Sequence, residues 1–330
     1  MNASPGEFVR EHEAALLALR AAAGLCRRVQ NRRLVGSTLT KEDRSPVTIA
    51  DFGSQALVGR TLLERLPGDE IVGEEDSAAL VDSKNAAIAQ SVFTEVRAAV
   101  PGATDEEILT WIGSGRGAGG SGRFWTLDPI DGTKGFLRGE QYAVALALVR
   151  GGAVEVGALA CPNLRFRGVR GWILVAVRGA GAEALPLDDG PPHAARVSPV
   201  SDARSARLLE SVEAAHGDLG GHERVRERLG VAAPGLRLDS QAKYALLALG
   251  EAEVYLRLPT SEEYRENLWD HAAGALVVEE AGGRVTDVHG RPLDFTTGRR
   301  LENNQGIVAT NGRLHDAFLA AVGEVRARRR

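Results

Sequence analysis

Asp128 and Asp131 stand three positions apart in the stretch Trp125-Thr126-Leu127-Asp128-Pro129-Ile130-Asp131-Gly132-Thr133-Lys134-Gly135-Phe136. Pro129 removes a backbone donor and fixes its own φ, while Gly132 permits backbone angles that a side chain forbids, so the stretch reads as a rigid turn. Such a turn can aim Asp128, the Ile130 carbonyl and Asp131 at one point. That is an all-oxygen set suited to a hard cation such as Mg2+. The amides of Gly132 and Thr133 and the Thr133 hydroxyl could hold a phosphate oxygen. Taken alone, the same residues would also make an ordinary turn between two strands.

Other acids stand at the ends of expected elements. Glu74 lies in Gly73-Glu74-Glu75-Asp76, just after a short apolar strand; adjacent like charges repel, so this cluster is either well solvated or neutralised by a cation. Asp51 is placed like the N-cap of a helix running to about Leu66, a role that needs no chemistry. Asp270 sits in Trp269-Asp270-His271-Ala272-Ala273-Gly274, which opens a helix ending at Gly282-Gly283. Each acid has a plain structural use. Together they outnumber what caps and turns require, and they suit a site with two or more Mg2+ ions, where cations about 3.5 to 4 Å apart activate a water and stabilise the departing oxygen of a phosphate ester. The chain has no Gly-x-Ser-x-Gly elbow, no His-Glu-x-x-His and no P-loop.

The positioning elements follow from hydrophobic periodicity. A helix is expected over residues 7–33 with Phe8, Leu16, Leu19 and Ala23 inward, and apolar strands over 123–127, 142–149, 153–160 and 171–177. The glycine-rich run 113–122 contains Gly115-x-Gly117-x-x-Gly120, but a strand follows it rather than a helix, so it reads as a mobile loop near the site mouth rather than a dinucleotide fingerprint. Residues 185–192 form the best linker, which places a boundary between 1–190 and 191–330. Beyond it, strands at 208–213, 236–238 and 254–258 alternate with helices, which indicates a layered α/β fold. Asp239 or Ser240 can cap a helix there, and Ser240 and Lys243 would share one face at its positive end, where an anion could sit.

With 330 residues, 44% of them hydrophobic, the chain can bury a large core. A net charge of −4 argues against a nucleic-acid binder, which needs a cationic face. No secretion signal and no membrane-length apolar run is read from the sequence. Cys26 and Cys161 are expected to be buried thiols in a reducing cytoplasm. Oligomeric state is left open, leaning to a monomer.

Gly73-Glu74-Glu75, Asp128-Pro129-Ile130-Asp131-Gly132-Thr133 and Trp269-Asp270 together resemble the Mg2+-dependent, lithium-sensitive phosphatases related to inositol monophosphatase and fructose-1,6-bisphosphatase. Ser45-Pro46-Val47-Thr48, Asp239-Ser240-Gln241-Ala242-Lys243-Tyr244 and Tyr255-Leu256-Arg257-Leu258-Pro259 are most similar to its 3'(2'),5'-bisphosphate nucleotidase branch. The resemblance implies an αβαβα sandwich of two subdomains, N-terminal for metal and C-terminal for substrate. It implies Mg2+, two to three ions, on Glu74, Asp128, the Ile130 carbonyl, Asp131 and Asp270, with Asp51 and Thr133 positioning and deprotonating the attacking water. It further implies a nucleotide substrate, adenosine 3',5'-bisphosphate or its sulfated form, touching Gly132, Thr133, His216, Ser240, Lys243 and Arg257. The rival expectations are an inositol phosphate or fructose bisphosphate phosphatase of the same superfamily, and a non-catalytic metal- and nucleotide-sensing protein.

Overall fold

The computed structural model describes residues 7–35, 45–212 and 218–328. Its elements run α1 (Val9–Val35), α2 (Ser45–Arg65), β1 (Glu70–Gly73), α3 (Ala78–Val81), α4 (Ala86–Ala99), α5 (Asp105–Gly113), β2 (Arg123–Asp131), α6 (Thr133–Arg138), β3 (Ala143–Arg150), β4 (Ala153–Phe166), β5 (Val169–Val177), β6 (Gly181–Pro186) and β7 (His193–Ala194). There follow β8 (Leu208–Glu210), α7 (Leu219–Leu229), β9 (Leu236–Arg237), α8 (Ala242–Ala248), β10 (Val254–Arg257), α9 (Ala272–Glu280), β11 (Arg284–Thr286), β12 (Ile307–Thr310) and α10 (His315–Ala327).

Two sheets result. The first has seven strands in chain order, β1 to β7, with β1 parallel to β2 and the other pairs antiparallel. The second has five, in the order β11-β12-β10-β8-β9. Helices α1 and α2 cover one face of the first sheet; α8 and α9 lie between the sheets, and α7 and α10 pack together beyond the second. The layers therefore read α, β, α, β, α. The central position of α9 explains its sequence: Ala272 to Val278 are all buried, because a helix with a sheet on either side has no polar face. Gly274 lets α9 meet α8, since a Cβ there would lie 2.2 Å from the Tyr244 ring.

Several expected boundaries move. Asp51 is not an N-cap: α2 begins at Ser45, so Asp51 lies inside the helix. The expected linker is part of the first sheet, since Leu185 and Pro186 end β6 and the residues after them turn into β7. The glycine-rich run is tied along the free edge of β1, where Gly73 N donates to Gly115 O and Gly117 N to Ile71 O, both at 2.8 Å. A covered edge cannot pair with another chain. Helix α8 starts at Ala242, with Gln241 at the N-cap position, and of the Asp239-Ser240 pair only Ser240 meets its start, through its hydroxyl.

Candidate active site

Parallel pairing of β1 with β2 sets Gly73 opposite Leu127, so Glu74 leaves the end of β1 next to Asp128. Residues three apart on a regular strand point to opposite faces. Here the β2–β3 register shifts between Asp128, opposite Ala145, and Asp131, opposite Ala143; three steps on one strand match two on the other. This bulge, between Asp128 and Asp131, brings both aspartates to one side. Gly132 then takes φ +86°, turning the chain into α6 with Thr133 at its first position. Asp270 ends a 3₁₀ turn, Leu268–Asp270, that enters α9.

These segments surround a cavity of ≈ 290 Å³. Its acidic wall includes Glu74, Asp128, Ile130, Asp131 and Asp270, with Gly132 and Thr133 beside them; its other wall includes Ser240, Lys243, Tyr255 and Arg257. Asp51 lies behind the acidic wall, on α2, which packs against the helix carrying Thr133. It is within electrostatic reach of Glu74, Glu75 and Asp128. His216 falls outside the described residues.

The acids repel one another. Asp128, 2% exposed, is held far above the usual carboxylate range by burial and then by Glu74, Asp131, Asp270 and Asp51. Asp270 is raised by burial and by Asp131, with Arg257 opposing. Asp51 is raised by burial, then Glu75 and Glu74. Glu74 is exposed as a residue, yet loss of solvent around its carboxyl, then Glu75 and Asp131, push it up to about 7.

Asp128 Oδ1 is buried with no hydrogen-bond partner among the described residues. An orphaned buried acceptor amid like charges is costly unless a cation completes it. The donors are all oxygen, as a hard cation requires, so the residues fit Mg2+. Among the described residues, however, the one trio of potential ligands whose donor atoms lie within 4.8 Å of one another is Glu266, Asp270 and His271. In that trio Glu266 already pairs with Arg257, and His271 meets Tyr244. The expected acids line a wider space, as a site for more than one ion would.

The basic wall departs from expectation in detail. Ser240 precedes α8 at φ +69° and uses its hydroxyl to accept from Ala242 N at 3.1 Å. The first free amide of that segment, Gln241 N, donates to Asp131 Oδ2 at 2.6 Å. A short helix whose amides are so engaged is no anion site in itself, and the charge must come from side chains. Lys243 is 3% exposed, its Nζ donating to Leu238 O at 3.1 Å and lying 5.2 Å from the Tyr255 ring centre; burial lowers its pKa to about 8.

Other residues in and around the site carried no sequence signal. Arg299 donates to Gly73 O at 2.6 Å and Gly117 O at 3.1 Å and stacks over Trp269, which places a fixed cation beside Glu74. Gln55 on α2 holds the backbone of Glu75 from both sides, accepting from its N at 3.1 Å and donating to its O at 2.6 Å. Tyr264 and Asn267 also line the cavity. No spacing rule marks such residues, because they reach the site from unrelated segments.

The sequence profile of the inositol monophosphatase family matches residues 7–327. The chain is 41% identical to a 3'(2'),5'-bisphosphate nucleotidase of Emericella nidulans, covering 96% of this chain and 99% of that one. It is 43% identical to a protein of the same description from Oryza sativa, covering 97% and 95%. Its fold is similar to that of Mycobacterium tuberculosis SuhB, with a TM-score of 0.63 and 24% identity over 97% of this chain and 98% of that one. An inositol monophosphatase from Anabaena (Nostoc) sp. PCC 7120 gives a TM-score of 0.61 with 21% identity over 95% of each chain.

Proposed function

We propose that this chain, which belongs to the inositol monophosphatase family, is a 3'(2'),5'-bisphosphate nucleotidase that removes the 3'-phosphate of adenosine 3',5'-bisphosphate, or of its sulfated form, to leave the 5'-phosphorylated product and inorganic phosphate. The observation that carries this reading is one cavity lined both by the acids Glu74, Asp128, Asp131 and Asp270 and by the cations Lys243 and Arg257. A phosphate undergoing hydrolysis suits the first, and a second phosphate on the same small molecule suits the second. The names of relatives above 40% identical over nearly the whole chain support the same substrate.

Glu74, Asp128, Asp131, Asp270 and the Ile130 carbonyl would hold Mg2+. Two to three ions there supply neutralisation of phosphoryl charge and an acidified water. The chain's own residues supply orientation and proton transfer. The Thr133 hydroxyl, at the start of α6 and next to the Gly132 amide, positions the attacking water; Asp51, an acid already held above its usual range, accepts the proton. On the other wall Lys243 has three N–H donors and gives one to Leu238 O, so two remain for the second phosphate. Ser240, His216 and Arg257 complete the contacts to phosphate, sugar and base. The division into a metal-binding part, 1–190, and a substrate-binding part, 191–330, follows this split, although Asp270 crosses it.

The buried free thiols Cys26 and Cys161 support a cytoplasmic location. Among the described residues no helix is long and apolar enough to cross a membrane. The test is phosphate release from adenosine 3',5'-bisphosphate, its sulfated form, inositol 1-phosphate and fructose 1,6-bisphosphate, with and without Mg2+ and with Li+. The reading requires the highest kcat/KM on a nucleotide, dependence on Mg2+ and inhibition by Li+. Higher kcat/KM on inositol 1-phosphate or fructose 1,6-bisphosphate would overturn it.

A further inference from the structure

Arg257 stands between two carboxylates. Its Nε donates to Glu266 Oε1 at 2.9 Å and its Nη2 lies 2.8 Å from Glu266 Oε2, while the same Nη2 is 3.9 Å from Asp270 Oδ2. Glu266 is 3% exposed and does not line the cavity, whereas Arg257 and Asp270 do. A half-buried Arg goes to the carboxylate that offers both a hydrogen bond and a close second charge contact, and here that is Glu266.

The environment fixes Glu266 from three sides. Its carbonyl accepts from Leu301 N at 2.9 Å, and Leu268 N donates to Arg299 O at 3.1 Å, so its backbone is laced to the segment carrying Arg299. His271 Nε2 lies 3.4 Å from Oε2, and His271 Nδ1 is 2.9 Å from the Tyr244 hydroxyl, itself fully buried between α8 and α9. Despite its burial, Glu266 remains ionised, because His271 and Arg257 favour the charged form.

We propose that Glu266 is a positioning residue that decides where Arg257 sits. By holding the guanidinium in a two-point pair, it keeps Arg257 off Asp270. It thereby does two things with one carboxylate: it leaves Asp270 available to a cation, and it presents the remaining face of Arg257 to the substrate. Without its charge, the guanidinium keeps the Tyr264 hydroxyl at 3.4 Å and Asp270 as the remaining carboxylate, 3.9 Å away, and would close onto Asp270.

Glu266→Gln tests this. The amide keeps the size of the side chain but offers one acceptor instead of two. In the absence of substrate, calorimetric titration with Mg2+ should show affinity weakened about 10-fold, as expected when a buried charge pair is broken and the freed cation competes for a ligand. For adenosine 3',5'-bisphosphate at saturating Mg2+, KM should rise by about as much while kcat changes far less. In Glu266→Gln/Arg257→Met nothing remains to occupy Asp270, so Mg2+ affinity should return to that of the unaltered protein while KM stays high. Unchanged Mg2+ affinity in Glu266→Gln overturns the proposal. So does a double variant that binds Mg2+ as weakly as the single one, because the loss then does not pass through Arg257. If Glu266→Gln does not fold, Glu266→Asp is read instead: intermediate Mg2+ affinity supports the proposal, and unaltered Mg2+ affinity and KM overturn it. The inference rests on the reading of the site given above, but its Mg2+ titration uses no substrate, so its failure is distinct from failure of the nucleotidase assignment.

Discussion

Asp51 and Glu74 show what the fold does to single residues. Both are acids that folding places among other acids, and both therefore hold protons more tightly than in an unfolded chain. Replacing Asp51 by Asn removes a proton acceptor without leaving a buried charge. Turnover should fall at least about 100-fold, the usual share of a general base, with no loss of thermal stability. Phosphate release and a melting curve on the same preparation check this, and retained turnover would remove Asp51 from the mechanism. For Glu74 the folded value, about 7, exceeds the unfolded one, so its protonated form stabilises the metal-free fold at low pH and that contribution is lost as pH rises from about 4.5 through 7. Mg2+ binds the deprotonated form. The rise in Tm on adding Mg2+ should accordingly be small at about pH 5.5 and large at about pH 8. A shift independent of pH across that range would mean that the cation does not meet these carboxyls.

The turn after β2 is the element on which the site depends. Its bulge between Asp128 and Asp131 and the positive φ at Gly132 are backbone features, and the second permits close approach as well: a Cβ at Gly132 would lie 2.8 Å from the Ser240 Cβ. Gly132→Ala should therefore cost about 1–2 kcal/mol from the backbone angle alone, read from the denaturation midpoint, and should lower kcat/KM by pushing Ser240 away from the turn. An unchanged midpoint would show that the turn relaxes freely. Much of this element was legible in advance, because Asp, Pro, Gly and Thr in that order have few other conformational uses. Asp51 was misplaced for the opposite reason. An acid after Ser-Pro and before an apolar run has the pattern of an N-cap, yet α2 begins six positions earlier, at Ser45. Proline is tolerated in the first turn of a helix, so Ser45-Pro46 opens α2 rather than punctuating the chain before it.

At the scale of the molecule, the two parts read from the sequence share one interior. The core between the sheets includes Phe124, Leu159 and Trp172 from the first part together with Tyr244, Leu276 and Ala309 from the second. Helix α9, from the second part, packs against β3, β4 and β5 of the first. The whole chain should therefore melt in a single transition, and a fragment ending at Ala194 should fail to give a cooperative melt, since it exposes the face that α9 covers. A cooperative transition in that fragment would make the first part an independent domain.

The residue types and their order were enough to determine the strands that end in acids, the turn at Gly132 and the family they resemble, but not that Asp128 to Asp131 stay in β2 as a bulge, because donor count, φ range and hydrophobic period are short-range while strand pairing is not. Only the folded chain decided that Asp51 lies inside a helix behind the acids, that the glycine run covers an edge, that Arg299 stands beside Glu74, and that Arg257 lies between Glu266 and Asp270. Those facts depend on which distant segments share a wall, and charge pairs between such segments leave no trace in local spacing.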